Sequence, residues 1–537
     1  MADHGYLALV LHAHLPYVRH PEYEDFLEED WLYEAITETY LPLLDVLYGL
    51  ADDGVEFQLT MSLTPPLCHM LRDGLLQERY VRYLERAIEL AHKEVERTAG
   101  DARLSEITRF YVDRLEHARH AYHEKWKRDL VTAFKVLQDR GVLEIITCAA
   151  THGFLPLMES FPEAMRAQIF IARDHYRETF GREPRGIWLP ECAYVASLDE
   201  VLREANLRWF VLDAHGLMYG FPRPRYAIFT PCFTPAGPAA FARDRESSRQ
   251  VWSAEEGYPG DPAYRDFYRD IGFDLPAEYL RPFIGADGHR KFTGLKYHRI
   301  TGRTGEKDLY NRSWAMGAAD HQAGHFMASR ATQIAGLRTN MNVDPIVLSP
   351  FDAELFGHWW FEGPEFLNLF IRKAAYDQQE FRFTTPGNYL ETHPTHQLVK
   401  PSASSWGHLG YWEVWLEDAN SWIYPHLHVA ARRMTEMARL HSDRIPLDGN
   451  RAALTPLLDR ALRQMARELL LAQSSDWAFL MKTGTARNYA TKRTKDHILR
   501  FTRLYDQVRA RAVDIEFLEN CEWRDNIFPI LDWRYYA

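Results

Sequence analysis

The sequence predicts an α/β barrel built on a parallel sheet and followed by a helical C-terminal domain. Three observations support this fold class. Short apolar runs alternate with helical stretches over the first two-thirds of the 537 residues. The runs are apolar along almost their whole length, which is typical of strands buried on both faces. Polar residues gather directly after the runs, at the position where a barrel carries its functional groups.

Seven apolar runs are the predicted strands. In chain order they are YLALVLHAHLPY, EFQLTMSLTPPL, LEIITCAATHGFLPL, RGIWLPECAY, RWFVLDAHGL, TGLKYHRITG and DPIVLSPFDAELFGHWWFEG. A doubly wound open sheet is the alternative architecture. None of the runs, however, is followed by the GxGxxG pattern with which such a sheet binds a dinucleotide.

Three further segments complete the predicted organisation of the chain. Long charged amphipathic helices over about residues 75–139 indicate a helical insertion in the barrel. A stretch rich in Pro, Gly, Arg and aromatic residues, about 221–286, predicts loops over the barrel mouth. Strand patterns then fade. We therefore predict a catalytic barrel over residues 1–397 and a helical domain over 398–537 that completes the active-site cleft.

Charge and composition argue against several classes of protein. The net charge is −12 with acids and bases interspersed, so the chain offers no basic face to a nucleic acid. No apolar run is long enough to cross a bilayer, and the first residues lack the features of a secretory signal. We therefore expect a cytoplasmic protein that binds no membrane. The five cysteines lack metal or disulfide spacing and are predicted to be buried free thiols.

The aromatic content favours a neutral ligand such as a sugar. Aromatic residues make up 13% of the chain and include 15 Trp, several of them beside polar residues. Flat rings bind the C–H surface that a sugar presents. Trp406, which lies in a segment flanked by Ser and Gly, is a good candidate for stacking on a sugar ring. Trp415 and Trp422 have the spacing of helical neighbours, and packing explains them equally well.

Acidic residues at two predicted strand ends are candidates for catalysis. Glu191 ends the run RGIWLPECAY, and Asp352 and Glu354 end the run SPFDAELFGHWW. Residues two apart on a strand face the same side, so the sequence alone leaves open which of Asp352 and Glu354 points into the mouth. Two carboxylates that converge from different strands are what glycoside cleavage requires. The alternative is two unrelated ion-paired acids, with Arg185 as the partner of Glu191.

Histidines follow several of the same runs. His12, His14 and His152 are three of them, and histidines around one mouth can bind sugar hydroxyls or a metal. His12 and His14 together with Asp213 and His215 would also suit a metal-dependent deacetylase. Because no HExxH motif or close His/Asp cluster defines a coordination sphere, we predict no metal.

Five motifs occur in one order along the chain: HAHLPY, THGFLPL, GIWLPECAY, SPFDAELFGHWWFEG and QSSDW. Together they resemble glycoside hydrolase family 57, whose members cleave or transfer α-glucan chains, and most closely its 1,4-α-glucan branching enzymes. The resemblance implies an incomplete (β/α)7 TIM-like barrel with a helical insertion and an all-α C-terminal domain. It also implies a retaining mechanism without a metal or other cofactor, acting on an α-1,4-glucan such as amylose, amylopectin or a glycogen precursor.

The resemblance implies roles for individual residues. Glu191 matches the nucleophile and Asp352 the general acid/base of the family. A larger set matches or adjoins the positions that bind substrate. It comprises His12, His14, His152, Asp476 and Trp477 near the donor sugar, and Trp252, Trp406 and Trp415 on the acceptor side.

The acceptor in the second step separates the possible activities. A glucan 6-hydroxyl gives a branch, a 4-hydroxyl gives a 4-α-glucanotransferase, and water gives an α-amylase. A non-catalytic glycan-binding protein is a further alternative, which the intact carboxylates argue against.

A loop with an aromatic tip closes over the site in branching members, as the resemblance implies. The matching stretch here, TPCFTPAGPAAFARDRESSRQVW, is short and contains Phe233 and Phe241 but no Tyr. We therefore predict that transfer is weakened relative to hydrolysis.

Overall fold

The computed structural model describes residues 5–252, 257–284, 289–302, 304–442 and 455–537. It contains a nine-stranded sheet. The strands are β1 (Gly5–Ala13), β2 (Leu59–Leu63), β3 (Leu143–Cys148), β4 (Gly186–Trp188), β5 (Trp209–Leu212), β6 (Cys232–Phe233), β7 (Ala239–Ala242), β8 (Ile346–Asp352) and β9 (Phe381–Phe383). Their order across the sheet is β6-β7-β5-β4-β3-β2-β1-β8, and β9 pairs with the first residues of β1.

The sheet forms an incomplete barrel of parallel strands. Every strand pairing in the described part of the chain is parallel except that of β6 with β7. The two edges meet where Arg243 bridges Leu348 and the Asp244 N–H donates to the Leu348 carbonyl at 2.8 Å. All residues of β2 and β3 are buried, as expected for a sheet covered on both faces. The predicted fold class is confirmed.

Fifteen helices connect or follow the barrel strands in the described residues. They are α1 (Asp30–Ala35), α2 (Leu41–Asp52), α3 (Pro65–Arg72), α4 (Gly74–Arg97), α5 (Ala102–His120), α6 (Leu130–Asp139), α7 (Pro162–Phe180), α8 (Leu198–Glu204), α9 (Ala214–Met218), α10 (Arg245–Trp252), α11 (Ile271–Asp274), α12 (Ala277–Leu280), α13 (Arg312–Asn340), α14 (Gly363–Tyr376) and α15 (Pro386–Thr392). Within the ranges given above, no helix is both long and apolar enough to cross a membrane.

The insertion predicted for about 75–139 contains α4, α5 and α6. Their N-termini are set by aspartates, because the side chain of Asp73 accepts from the Leu76 N–H at 3.1 Å and that of Asp101 accepts from the Leu104 N–H at 3.1 Å. Such a cap satisfies an amide that has no partner within the helix.

Two expectations about the middle of the chain are wrong. The run TGLKYHRITG forms no strand and contributes only isolated bridges at His298 and Arg299 within the described residues. Its Lys296 lies in a buried group of charges with Glu34 and Glu38. The strand between β5 and β8 comes instead from AAFA in β7. The stretch 221–286, expected to consist of loops, therefore contributes a strand to the barrel.

The C-terminal region consists of helices that pack against the barrel. They are α16 (Ile423–Ser442), α17 (Pro456–Ala472), α18 (Ser475–Thr483), α19 (Arg487–Ala510) and α20 (Ile515–Arg524). The junction of α17 and α18 contacts the end of β3, because the Ser475 N–H donates to the His152 carbonyl at 2.9 Å and Gln168 donates to Gln473 at 3.2 Å. The exact domain boundary at 397/398 stays a prediction.

Candidate active site

Glu191 lies just beyond the C-terminal end of β4, in the short turn Pro190–Cys192. Its backbone is left-handed, with φ 62° and ψ 21°. A non-glycine residue in that region costs on the order of 1–3 kcal/mol, and such outliers cluster at functional sites. The turn persists because the Trp406 N–H donates to the Glu191 carbonyl at 2.9 Å. The strained backbone directs the carboxylate toward the mouth.

Two donors bind the Glu191 carboxylate. The Trp406 indole Nε1 donates to Oε2 at 2.8 Å, and the Ser475 hydroxyl donates to Oε1 at 3.0 Å. Burial raises the pKa of Glu191 to about 7, although both donors oppose that rise because they stabilise the ionised form. Arg185 is not its partner; that guanidinium pairs with Glu144 and with Glu391. The ion-pair interpretation of Glu191 is therefore wrong.

Asp352 is the last residue of β8 and lies opposite His12 in the register of β1. No group in the described ranges hydrogen-bonds its carboxyl. Burial raises the pKa of Asp352 well above its ordinary value, and the charges of Glu354 and Glu191 raise it further against the opposing effect of Arg243. Asp352 therefore holds its proton more tightly than an ordinary aspartic acid does. The charge of Glu191 contributes to this shift.

Glu354 is bound within the protein and does not compete with Asp352 for the mouth. Its Oε1 accepts from the Tyr40 hydroxyl at 2.5 Å and from the His14 backbone N–H at 3.1 Å. The side chain is buried, and burial raises its pKa to about 7. Of the two acids, Asp352 is the one whose carboxyl has no hydrogen-bond partner among the described residues, and its role as the general acid/base stays a prediction.

Histidines from two strand ends form a stacked network beside Glu191. The Nε2 atoms of His12 and His152 lie 3.0 Å apart, and the rings of His14 and His152 stack with centroids 3.9 Å apart. His152 contacts the Ser475 hydroxyl through Nδ1 at 2.8 Å, so that serine lies between His152 and Glu191. Burial lowers the pKa of His12 and of His152 well below the ordinary value. Both rings are therefore neutral, so that each has one donor and one acceptor nitrogen.

Asp476 joins this network from α18. Its carboxylate lies 3.1 Å from His14 Nε2. Burial favours a raised pKa for Asp476, but the adjoining His14 lowers it to about 2. Asp476 is therefore an ionised acceptor at the mouth. Of the predicted donor-side residues, the structure brings together His12, His14, His152 and Asp476 around Glu191.

His14, His152 and Asp476 could also bind a metal ion, since one ligand atom of each lies within 4.8 Å of the others. These atoms already have protein partners: His14 binds Asp476, and His152 binds Ser475. Glu468, His497 and Asp525 form a second such group inside the helical region. The donor chemistry fits a metal at the first group, but the hydrogen bonds explain it without one.

The predicted tryptophans have different environments. Trp406 is partly exposed and lies edge-to-face against Trp188 and Trp252, with centroids 5.0 and 5.9 Å apart. Trp415 and Trp477 are 1% and 0% exposed. Trp415 stacks on Phe154, and Trp477 donates its indole N–H to the Leu471 carbonyl at 2.7 Å. Neither presents a ring face to a sugar in this structure, so both are packing groups here.

Trp415 supports the segment that carries Trp406. A Cβ on Gly407 would lie 2.6 Å from the Trp415 ring, so the backbone at Gly407 passes directly over that ring. Only a glycine permits this approach. Trp415 thus supports the backbone next to Trp406, whose indole N–H donates to Glu191.

The two phenylalanines expected in the loop that closes the mouth lie elsewhere. Phe241 is in β7 and 2% exposed, with Trp209 at its edge. Phe233 pairs with Ala239, and Ala239 pairs with Trp209, the first residue of β5. The β6–β7 turn therefore lies at the end of the barrel opposite the catalytic residues. The inference of weakened transfer from Phe233 and Phe241 has lost its structural basis.

Sequence reasoning missed several residues of the site. Ser475 is adjacent to Asp476 in the motif QSSDW, so the motif itself was a signal for it. Trp188 stacks on His12 with centroids 4.6 Å apart, and it belongs to the motif that ends in Glu191. Arg243, which pairs with Asp213 at 2.6 Å and lies beside Trp406, carried no sequence signal.

Comparison with known families assigns the chain to one of them. The model of glycosyl hydrolase family 57 matches residues 8–401, which is more than half of the chain. The chain belongs to glycosyl hydrolase family 57. Residues 426–536 match a second model, described as the C-terminal region of 1,4-alpha-glucan branching enzymes. The helical region is therefore of the type found in the branching enzymes.

Relatives and solved structures resemble the chain over nearly its whole length. A 1,4-alpha-glucan branching enzyme of Thermococcus kodakarensis is 33% identical over 562 residues, covering 98% of this chain and 77% of that enzyme. The GH57-type branching enzyme structure from Pyrococcus horikoshii is 34% identical with a TM-score of 0.87, covering 99% and 97%. The α-amylase AmyC structure from Thermotoga maritima is 44% identical with a TM-score of 0.92, covering 99% of both chains.

Proposed function

We propose that the protein is a retaining 1,4-α-glucan branching enzyme that cleaves an α-1,4 bond and transfers the released chain to a glucan 6-hydroxyl. The observation that carries the proposal is the contrast between its two carboxyl groups at strand ends. Glu191 accepts hydrogen bonds from two donors, whereas Asp352 has none in the described ranges and has a pKa raised well above its ordinary value. One is suited to attack and the other to protonate a leaving oxygen.

The first step forms a covalent glycosyl enzyme. An ionised Glu191 oxygen attacks the anomeric carbon while the bond from that carbon to the leaving O4 breaks. The Asp352 proton moves to O4, which leaves as a hydroxyl group. In the second step, ionised Asp352 takes the proton of the acceptor hydroxyl, whose oxygen displaces Glu191 from the anomeric carbon. Both carboxyl groups then return to their starting protonation states.

Substrate contacts on the donor side are proposed for His12, His14, His152 and Asp476, because all four lie in the polar network beside Glu191. Trp406 and Trp252 are proposed for the acceptor side, where their rings meet edge-to-face. A cytoplasmic location and the absence of nucleic-acid binding stay predictions of the sequence.

An α-amylase is the second candidate, and the 44% identity to the Thermotoga maritima α-amylase favours it. The two activities share both catalytic steps and differ only in whether water or a glucan hydroxyl accepts the chain. A 4-α-glucanotransferase would differ from both in forming new α-1,4 bonds. Family membership leaves the metal-dependent deacetylase without support.

Product linkage decides between these activities. Amylose is incubated with the pure protein, and proton NMR compares new α-1,6 signals with new reducing ends. We expect an excess of α-1,6 linkages, and the Glu191→Gln variant is the control that should produce neither. Reducing ends without branches would overturn the branching assignment in favour of an amylase. A Glu191→Gln variant as active as the wild type would overturn catalysis by this site altogether.

A further inference from the structure

A second group of aromatic residues lies on the surface near β8. Trp359 is 53% exposed, and its ring stacks on Phe267 with centroids 4.4 Å apart at 29°. Tyr268, 77% exposed, adjoins Phe267 with centroids 5.1 Å apart. We call Phe267, Tyr268 and Trp359 the Trp359 platform. Contiguous exposed aromatic surface of this kind marks binding sites more often than chance exposure does.

The platform lies on the mouth side of the barrel. The Trp359 N–H donates to the Glu354 carbonyl at 3.1 Å, and the Glu354 carboxylate in turn binds the His14 N–H. Trp359 follows Asp352 by seven positions, so the two are at most about 25 Å apart along an extended chain. Trp406 belongs to the Glu191 side of the mouth, and the Trp359 platform belongs to the Asp352 side.

The platform is rigidly supported from below. The Lys296 ammonium, buried at 2% exposure, lies 4.1 Å from the centre of the Phe267 ring. His358 contacts Glu38 through Nδ1 at 2.8 Å. Gly357 has φ 116°, and a Cβ there would lie 1.8 Å from the Glu38 carbonyl oxygen. The segment that carries Trp359 is thus fixed, and a ring that is already ordered binds a ligand with little loss of entropy.

Polar groups lie directly beside the exposed ring. His358 precedes Trp359, and its Nε2 lies 3.8 Å from the Glu34 carboxylate. The two side chains are 15% and 13% exposed, so each retains some access to solvent. An aromatic face with hydrogen-bonding groups at its edge matches a sugar ring, which offers C–H surface on one side and hydroxyls around its rim.

We propose that the Trp359 platform is an outer subsite for an α-1,4-glucan chain that extends from the catalytic carboxylates along the Asp352 side of the mouth. The inference rests on the proposed function for the class of ligand. It assigns Trp359 to stacking on a glucose ring and the edge groups His358 and Glu34 to its hydroxyls. A long chain reaches the platform, whereas a short oligosaccharide bound at the carboxylates does not.

The test measures binding without turnover, in the Glu191→Gln background. Dissociation constants for amylose come from migration in native gels containing increasing amylose, and those for maltotriose from calorimetry. Trp359→Ala and Tyr268→Ala are compared with Trp314→Ala and Tyr376→Ala, whose side chains are 59% and 67% exposed and are outside the platform. We expect Trp359→Ala to weaken amylose binding about 3- to 10-fold and to leave maltotriose binding unchanged.

Three outcomes would count against the proposal. Equal amylose affinity in Trp359→Ala and Trp314→Ala would overturn it, as would an equal loss for maltotriose. Unchanged amylose affinity with an altered oligomeric state by light scattering would assign the surface to a protein contact instead. Trp359→Phe, which keeps a ring, should restore most of the affinity. A wild-type protein, with Glu191 intact, that binds amylose but forms no branches would overturn the proposed activity, while the binding measurements in the Glu191→Gln background would still test this subsite.

Discussion

The two walls of the candidate site differ although both carry a partly buried carboxyl group. On the Glu191 side, donors from Trp406 and Ser475 bind the carboxylate. On the Asp352 side, the described residues offer no donor, and the largest influences on the pKa after burial are the charges of Glu354 and Glu191. Burial alone raises the pKa of both acids. The hydrogen-bond donors lower the pKa of Glu191, whereas the neighbouring negative charges raise the pKa of Asp352 further. Glu191 therefore ionises first, which suits it to attack and suits Asp352 to protonate.

Exchanging each acid for its amide tests this division of roles and should have the largest effects. Glu191→Gln should lower the turnover of amylose by at least about 10³-fold, because no covalent intermediate can form. Asp352→Asn should lower it by about 10²- to 10⁴-fold through loss of proton transfer. An aryl maltooligoside separates the two, since its phenol leaves without a proton. A burst of phenol should survive in Asp352→Asn and vanish in Glu191→Gln; the reverse pattern would exchange the assigned roles.

Removing the two donors should leave the Glu191 carboxyl without hydrogen bonds, as the Asp352 carboxyl already is among the described residues. Ser475→Ala and Trp406→Phe each delete one hydrogen bond to the carboxylate, worth about 1.5–3 kcal/mol for a charged acceptor. Each should lower kcat/KM for amylose by about 10- to 100-fold. The donors stabilise the ionised form, so their loss raises the pKa of Glu191, and the acid limb of the kcat/KM profile should move to higher pH.

The neighbouring Ser474 supplies the control for this shift, since its hydroxyl donates to Asp476 and not to Glu191. Ser474→Ala should leave the acid limb where it is. An unchanged limb in both Ser475→Ala and Trp406→Phe would mean that Glu191 does not set it.

Stability should depend on pH through Glu191. Its pKa in the folded protein, about 7, lies above its ordinary value of 4.5, so the folded state binds more protons than the unfolded state between these two pH values. The stabilisation is complete below about pH 4.5 and is lost as the pH rises through about 7. Glu191→Gln removes the ionisation, and its advantage over the wild type should grow with pH to at most about 3 kcal/mol.

Melting temperatures at pH 5 and pH 8 measure this effect, with exposed Glu56→Gln as the matched control. A Tm difference between Glu191→Gln and the wild type that is the same at both pH values would show that the Glu191 pKa is not raised by folding.

Chelation should have the smallest effect. His14, His152 and Asp476 are already bonded to each other or to Ser475, so we expect EDTA to change the rate on amylose by less than about 2-fold. Loss of activity that added Zn²⁺ restores would contradict this. It would mean that His14, His152 and Asp476 bind a metal ion on which the activity depends.

The sequence predicted more of the catalytic centre than of its surroundings. Glu191 and Asp352 end apolar runs, and the order of parallel strands brings such ends together. Ser475 binds Glu191 across 284 positions of sequence, and no local pattern encodes a contact of that span. The resemblance supplied the choice of Asp352 over Glu354, which the hydrogen bonds of Glu354 to Tyr40 and His14 explain physically.

Aromatic residues were the least predictable part. The ring of Trp415 is buried beneath Gly407, and Phe241 is buried within β7. The exposed ring of Trp359 belongs to the same motif as Asp352 and Glu354. Aromatic side chains serve cores and sugar sites equally well, so composition indicates that rings are present but not which of them face solvent.

The contact of Ser475 with Glu191 has a consequence for the synthesis of the protein. Glu191, the proposed nucleophile, lies about a third of the way along the chain, while one of its two donors is in α18, far toward the other end. A ribosome must therefore make and release most of the polypeptide before the carboxylate has its partners. Nascent chains that already contain both acids lack a finished site, so no glucan need be cleaved by an enzyme that is still being made.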